Sequence, residues 1–125
     1  MPLIGFKKQF ALLVEEGIKR QTIRAKRRDG RNPHAGEKLY LYAGLRTKQC
    51  RKLMEARCVS VDEIVVTITG ICLSGKWLIK EEAIKIAWAE GVKTYEEFFR
   101  VCEKNHLLMV GTERGLGFWG LLIKW

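Results

Sequence analysis

The chain has 125 residues, a formal net charge of +9, 47% hydrophobic residues, two prolines and four cysteines. That length is one domain's worth, and the hydrophobic share supports a core, which excludes a disordered chain. No apolar run approaches the ~20 residues of a membrane-crossing helix, and the segment from Met1 to Phe6 lacks the charged and apolar regions of a secretory leader. Cys50, Cys58, Cys72 and Cys102 show no C-x-x-C pair and stand at no ligand spacing from His34 or His106. These features predict a cytoplasmic monomer with reduced thiols, no metal, no cofactor and no membrane contact.

The charge is uneven. Residues 1–57 carry 15 Lys or Arg against 5 Asp or Glu, and residues 58–125 carry 8 against 9. A basic half of this kind is the electrostatic footprint of a polyanionic partner, with RNA or a nucleotide ahead of a face that only aids solubility.

Residues 6–16 read as a short amphipathic helix, with Phe6, Phe10, Leu13 and Val14 near helical spacing and Gly17 at its end. Gln21 to Ala25 reads as a strand with Ile23 facing inward. Lys26 to Gly36 is a loop that combines Asp-Gly and Asn-Pro with a local charge of +3 between Lys26 and Arg31. Lys38 to Ala43 alternates, which places Leu39, Leu41 and Ala43 on the buried face and Tyr40 and Tyr42 on the other. Arg46-Thr47-Lys48 is a compact basic loop after Gly44.

Val59 to Ile71 holds one or two strands rich in Val, Ile and Thr, with Gly70 at a bulge or turn. Trp77 and Leu78 form a short strand edge. Lys80 to Ala89 is a helix that Glu90-Gly91 terminates, with Ala83, Ile84, Ile86, Ala87 and Trp88 as its apolar face. Thr94 to Glu97 is a capping box ahead of a second helix that runs to about Glu103. Gly115 and Gly117 open a last strand, Phe118 to Trp125. Trp77, Trp88, Trp119 and Trp125 are expected in the core. The order indicates an α+β fold, and short Gly-separated strands favour a small closed barrel.

Gly17-Ile18-Lys19-Arg20-Gln21-Thr22-Ile23-Arg24 carries the densest chemistry. A Thr hydroxyl becomes a nucleophile when a base sits beside it, and Lys19 can be that base if desolvation and the cations Arg20, Arg24 and Lys48 depress its pKa. Residues three apart in one strand face opposite ways, so joint action of Lys19 and Thr22 requires a turn between Gly17 and Gln21. The same cations could instead grip phosphate. Arg24, Arg46 and Lys48 are candidate phosphate or base contacts, with Thr47 between the last two, and Tyr42 or Tyr40 is a candidate stacking surface.

The run Gly-x-Lys-x-x-Thr-Ile-Arg, then Gly-Glu-Lys-Leu-Tyr-Leu-Tyr, then Arg-Thr-Lys-x-Cys, then a helix ending in Glu-Gly-Val before Tyr-Glu-Glu-Phe, resembles the ASCH domain family. That family is a branch of the PUA-like β-barrel superfamily, and the likeness spans about Phe6 to Trp125. It implies a small β-barrel flanked by about three short α-helices, with a cleft lined by the Lys-x-x-Thr segment that engages RNA or modified bases. Some members are similar to small bacterial amidohydrolases acting on N4-acetylcytidine, and others are reported as ribonucleases. The amidohydrolase set of a Lys, a Thr three residues on and a distant Glu falls on Lys19, Thr22 and Glu90. Glu90 would then bind the substrate amine or hold Lys19. The longer basic loop around Lys26 to Arg31 and the Arg46-Thr47-Lys48 segment depart from that pattern toward a polynucleotide. A non-catalytic RNA-binding module linked to translation or transcription is the alternative.

Overall fold

The computed structural model describes residues 3–27, 30–104 and 107–125. Arg28 and Asp29 of the predicted basic loop, and His106, lie outside the described residues. The chain is α+β, as its pattern predicts. Among the described residues, nine strands run in chain order: β1 (Leu3–Phe6), β2 (Gln21–Arg24), β3 (Lys38–Ala43), β4 (Arg51–Arg57), β5 (Ser60–Thr67), β6 (Gly70–Leu73), β7 (Lys76–Trp77), β8 (Leu108–Thr112) and β9 (Gly115–Lys124). The helices are α1 (Ala11–Glu15), α2 (Lys80–Ala89) and α3 (Tyr95–Lys104). Among the described residues, no helix is long and apolar enough to cross a membrane.

The ladders form two sheets among these residues. One has the order β1-β3-β4, with β1 parallel to β3. The other has the order β2-β9-β5-β6-β7, with β8 also on β9. The ten-residue β9 is the spine of the second sheet. Along one edge it pairs β5. Along the other, Gly115–Trp119 pairs β8 and Leu121–Lys124 pairs β2. β2 therefore keeps one edge without a strand partner among the described residues.

Alternation along β9 sorts its side chains into two cores. Leu121, Ile123 and Trp125 face the three-stranded sheet and pack with Ile4, Phe6, Val14, Leu39 and Leu41. Phe118 and Leu122 face the helices and pack with Ile23, Ile64, Val66, Ala87, Phe98 and Cys102. Leu39 and Leu41 are fully buried, as the alternation of β3 requires. β4 runs through Cys58 and Val59 straight into β5, so one chain segment crosses between the sheets.

Three expectations are corrected. Phe6 belongs to strand β1 rather than a helix, because pairing with Ala43 and burial against Trp125 outweigh the local helical spacing. The helix reduces to Ala11–Glu15, preceded by a 3-10 turn over Lys8–Phe10. Trp88 is 61% exposed, because the small Ala83 and Ala87 form the buried stripe of α2 and leave it outside. Its Nε1 donates to the Lys93 carbonyl at 3.3 Å. The α3 start follows the sequence signal: the Glu97 amide donates to Thr94 Oγ1 at 3.2 Å. Tyr95 then anchors this helix to the β5–β6 turn, its hydroxyl 2.6 Å from the Thr67 carbonyl and 2.7 Å from that of Gly70.

Gly120 sits where β2 and β8 abut along β9. A Cβ there would lie 2.7 Å from the Arg24 carbonyl and 3.1 Å from Leu107 Cδ2. Gly120→Ala should therefore cost ~1–3 kcal/mol in urea unfolding, because backbone must move. Gly111→Ala, whose Cβ would meet nothing within 4 Å, should stay within ~0.5 kcal/mol of the parent. Equal stabilities for the two variants would contradict this packing.

Candidate active site

The turn that joint action of Lys19 and Thr22 requires is present. Gly17 takes the left-handed conformation (φ +74°). The amides of Ile18 and Lys19 both donate to the Leu13 carbonyl, at 2.9 and 3.0 Å. Lys19 thus precedes the strand, and β2 begins only at Gln21. Within β2, Thr22 and Arg24 share the face of their partners Ile123 and Leu121, toward the three-stranded sheet. Gln21 and Ile23 share the opposite face, toward the helices.

Glu90 reaches this edge from the helix layer. It follows α2 directly and is the C-cap, with Gly91 (φ +87°) turning the chain away. Its Oε2 accepts from Lys19 Nζ at 3.3 Å and from Gln21 Nε2 at 3.3 Å. The Lys19 and Glu90 side chains are only 6% and 11% exposed. Lys19 Nζ also lies 5.2 Å from the centroid of the Phe10 ring, a favourable cation–π distance. Burial pushes the Glu90 carboxyl above its usual range. The Lys19 charge and hydrogen bonds from Lys19, Gln21 and the Ile23 backbone pull against that shift.

Thr22 is also buried. Arg24 Nε donates to Thr22 Oγ1 at 3.2 Å, and Arg24 Nη2 donates to the Gly5 carbonyl. The guanidinium stands 5.3 Å from the Phe6 ring. Burial lowers the Arg24 pKa, with the Glu90 charge opposing. Arg24, expected as a phosphate or base contact, here holds Thr22 and β1. Gln21, the second donor to Glu90, carried no signal in the sequence.

All four of Lys19, Thr22, Arg24 and Glu90 line one cavity of about 530 Å³ at the unpaired edge of β2, with Phe6, Phe10 and Cys102 among its walls. Burial and the nearby Glu90 charge push the Cys102 thiol up to about 12, so it stays protonated near neutral pH and is a poor nucleophile. The remaining predicted contacts do not line this cavity. Tyr42 is half-buried on β3, paired in register with Gly5. Arg46 and Lys48 are exposed in the loop after β3. Thr47 is a turn residue: its hydroxyl donates to the Gly44 carbonyl at 2.6 Å and accepts from the Gln49 amide at 3.2 Å.

No protein-family model matches this chain, and neither a curated protein nor a solved structure matches it.

The raised Glu90 pKa has a definite sign. The fold binds this proton more tightly than the unfolded chain does. The group's stabilising contribution is full below the ordinary value of 4.5 and is lost as pH rises toward the folded-state value. The stability of the parent relative to Glu90→Gln, measured by urea unfolding, should therefore fall as pH rises from 4.5. A difference that is flat, or that grows with pH, would contradict a buried carboxyl.

Proposed function

We propose that the protein is a small hydrolase of the ASCH type, cleaving the amide of an N4-acylated cytosine compound in the cavity beside β2. The observation that supports this reading is the convergence of Lys19, Thr22 and Glu90 on one cavity, where a binding groove would need no such assembly. The two sheets are read as halves of a PUA-like barrel, with the β4–β5 segment as their joint.

In this reading Lys19 first passes a proton to Glu90, whose burial favours the protonated carboxyl. The neutral amine then takes the Thr22 proton as Oγ1 attacks the acyl carbon. The Arg24 Nε donor already occupies one side of Oγ1, so the hydroxyl proton is directed elsewhere and the developing anion faces a cation. The carbon–nitrogen bond breaks, and Glu90 returns its proton to the departing N4 amine. Water cleaves the acyl-threonine ester and releases the carboxylic acid.

Thr22→Ala and Lys19→Ala should each lower deacylation of N4-acetylcytidine by at least ~10²-fold, followed by absorbance. Lys19→Arg should fail as well, because a guanidinium cannot take the proton. A folded parent protein inactive on acylated cytidine, its nucleotides and acylated RNA would refute the hydrolase.

A second reading, RNA binding without catalysis, is favoured by cations outside the cavity. Lys38 and Lys52 flank the Tyr40 ring at 5.8 and 5.4 Å, on the same sheet that leads into exposed Arg46 and Lys48. Single-stranded RNA affinity should then fall steeply with salt, and Arg46→Ala and Lys48→Ala should each flatten that slope by about one. Affinity indifferent to both changes would reduce this face to a solubility feature.

A further inference from the structure

The cavity's charge does not match a neutral substrate. Among the described residues, four basic ones line it (Lys7, Lys19, Arg24 and Lys104) against one acid, Glu90. Two of the four are engaged inside: Lys19 with Glu90, and Arg24 with Thr22 and the Gly5 carbonyl. Lys7 and Lys104 differ. Both are exposed, and neither has an acidic partner among the described residues. They come from elements far apart in sequence. Lys7 follows β1 and its carbonyl accepts from the Phe10 amide at 2.9 Å, which fixes its backbone. Lys104 ends α3. The catalytic reading gives neither of them a task. Two ammonium groups at the exposed rim of a cavity lined by more basic than acidic residues raise the local positive potential, which attracts an anion. The cavity volume is in the range that takes a nucleotide-sized ligand.

We propose that the substrate carries a phosphate ester on its nucleoside and that Lys7 and Lys104 hold that phosphate, so the site prefers a nucleotide or a strand over a free nucleoside. This rests on the nucleoside reading of the cavity. The deep residues Lys19, Thr22 and Glu90 act on the base, and the rim lysines bind the phosphate at the far end of the same ligand.

The test is calorimetric titration of the intact protein with cytidine, cytidine 5′-monophosphate and a short cytosine oligonucleotide lacking terminal phosphates. It is repeated with Lys7→Ala, Lys104→Ala and the double variant, each checked for parent-like circular dichroism. The monophosphate or the oligonucleotide should bind at least ~10-fold tighter than cytidine, as charge-assisted contacts to phosphate allow. The double variant should erase that preference and leave cytidine affinity unchanged. Preference for the oligonucleotide identifies a strand as the phosphate source, and preference for the monophosphate identifies a free nucleotide. Equal affinity for all three ligands, absent binding, or a preference that survives the double variant would overturn the proposal. Lysine-dependent nucleotide binding without any deacylation would overturn the hydrolase alone and leave this phosphate site standing.

Discussion

A lysine ammonium and a glutamate carboxylate stand 3.3 Å apart with almost no access to water, and the site is built around that pair. Each charge alone would be costly at this depth, and removing one partner of such a pair typically costs ~3–5 kcal/mol. Glu90 also sits where the α2 macrodipole is negative, an unfavourable place for a carboxylate. Lys19 offsets part of both penalties, and burial still holds the Glu90 carboxyl above its usual range. The pair joins the end of the helix layer to the turn ahead of β2, and it does so at the edge of β2 that has no strand partner among the described residues.

That unpaired edge explains how side chains from both faces of one short strand can serve one cavity. Thr22 and Arg24 approach from the side of the three-stranded sheet, whereas Ile23 approaches from the helix side. A second strand on this edge would separate them. The two cores hold the arrangement from either side, with Phe6 under Arg24 and Phe98 and Cys102 behind Glu90. The cavity is a consequence of two layers meeting around an exposed edge.

Much of this was legible where one local signal dominated. The alternation Leu39, Leu41 and Ala43 fixed the inward face of β3, and Gly17 marked the turn that frees Lys19 from the strand. Thr94 with Glu97 marked the start of α3. The signal failed where long-range pairing decides. β1 is four residues beside a helical pattern, and its strand conformation comes from parallel pairing with β3. β4 carries charges at both ends and a solvated face, and β8 exposes both Leu108 and Met109, so neither shows clean alternation. Thr47 sits in a basic segment and spends its hydroxyl on the turn. Arg24 reads as a candidate phosphate or base contact in sequence, and in the fold it is half-buried and bonded to Thr22 and Gly5. The rim lysines Lys7 and Lys104 lie 97 positions apart in the chain, and no local pattern links them.

The central claim is that Lys19 and Glu90 act as one buried pair, and a double-mutant cycle on stability tests it most directly. Lys19→Met and Glu90→Gln are made singly and together, and unfolding in urea is measured at neutral pH. The account predicts that each single change costs more than the double change, with a coupling of at least ~1 kcal/mol, because each leaves the other group without its partner. Additive costs within ~0.5 kcal/mol would mean that the two groups do not meet, and the site as described would not exist.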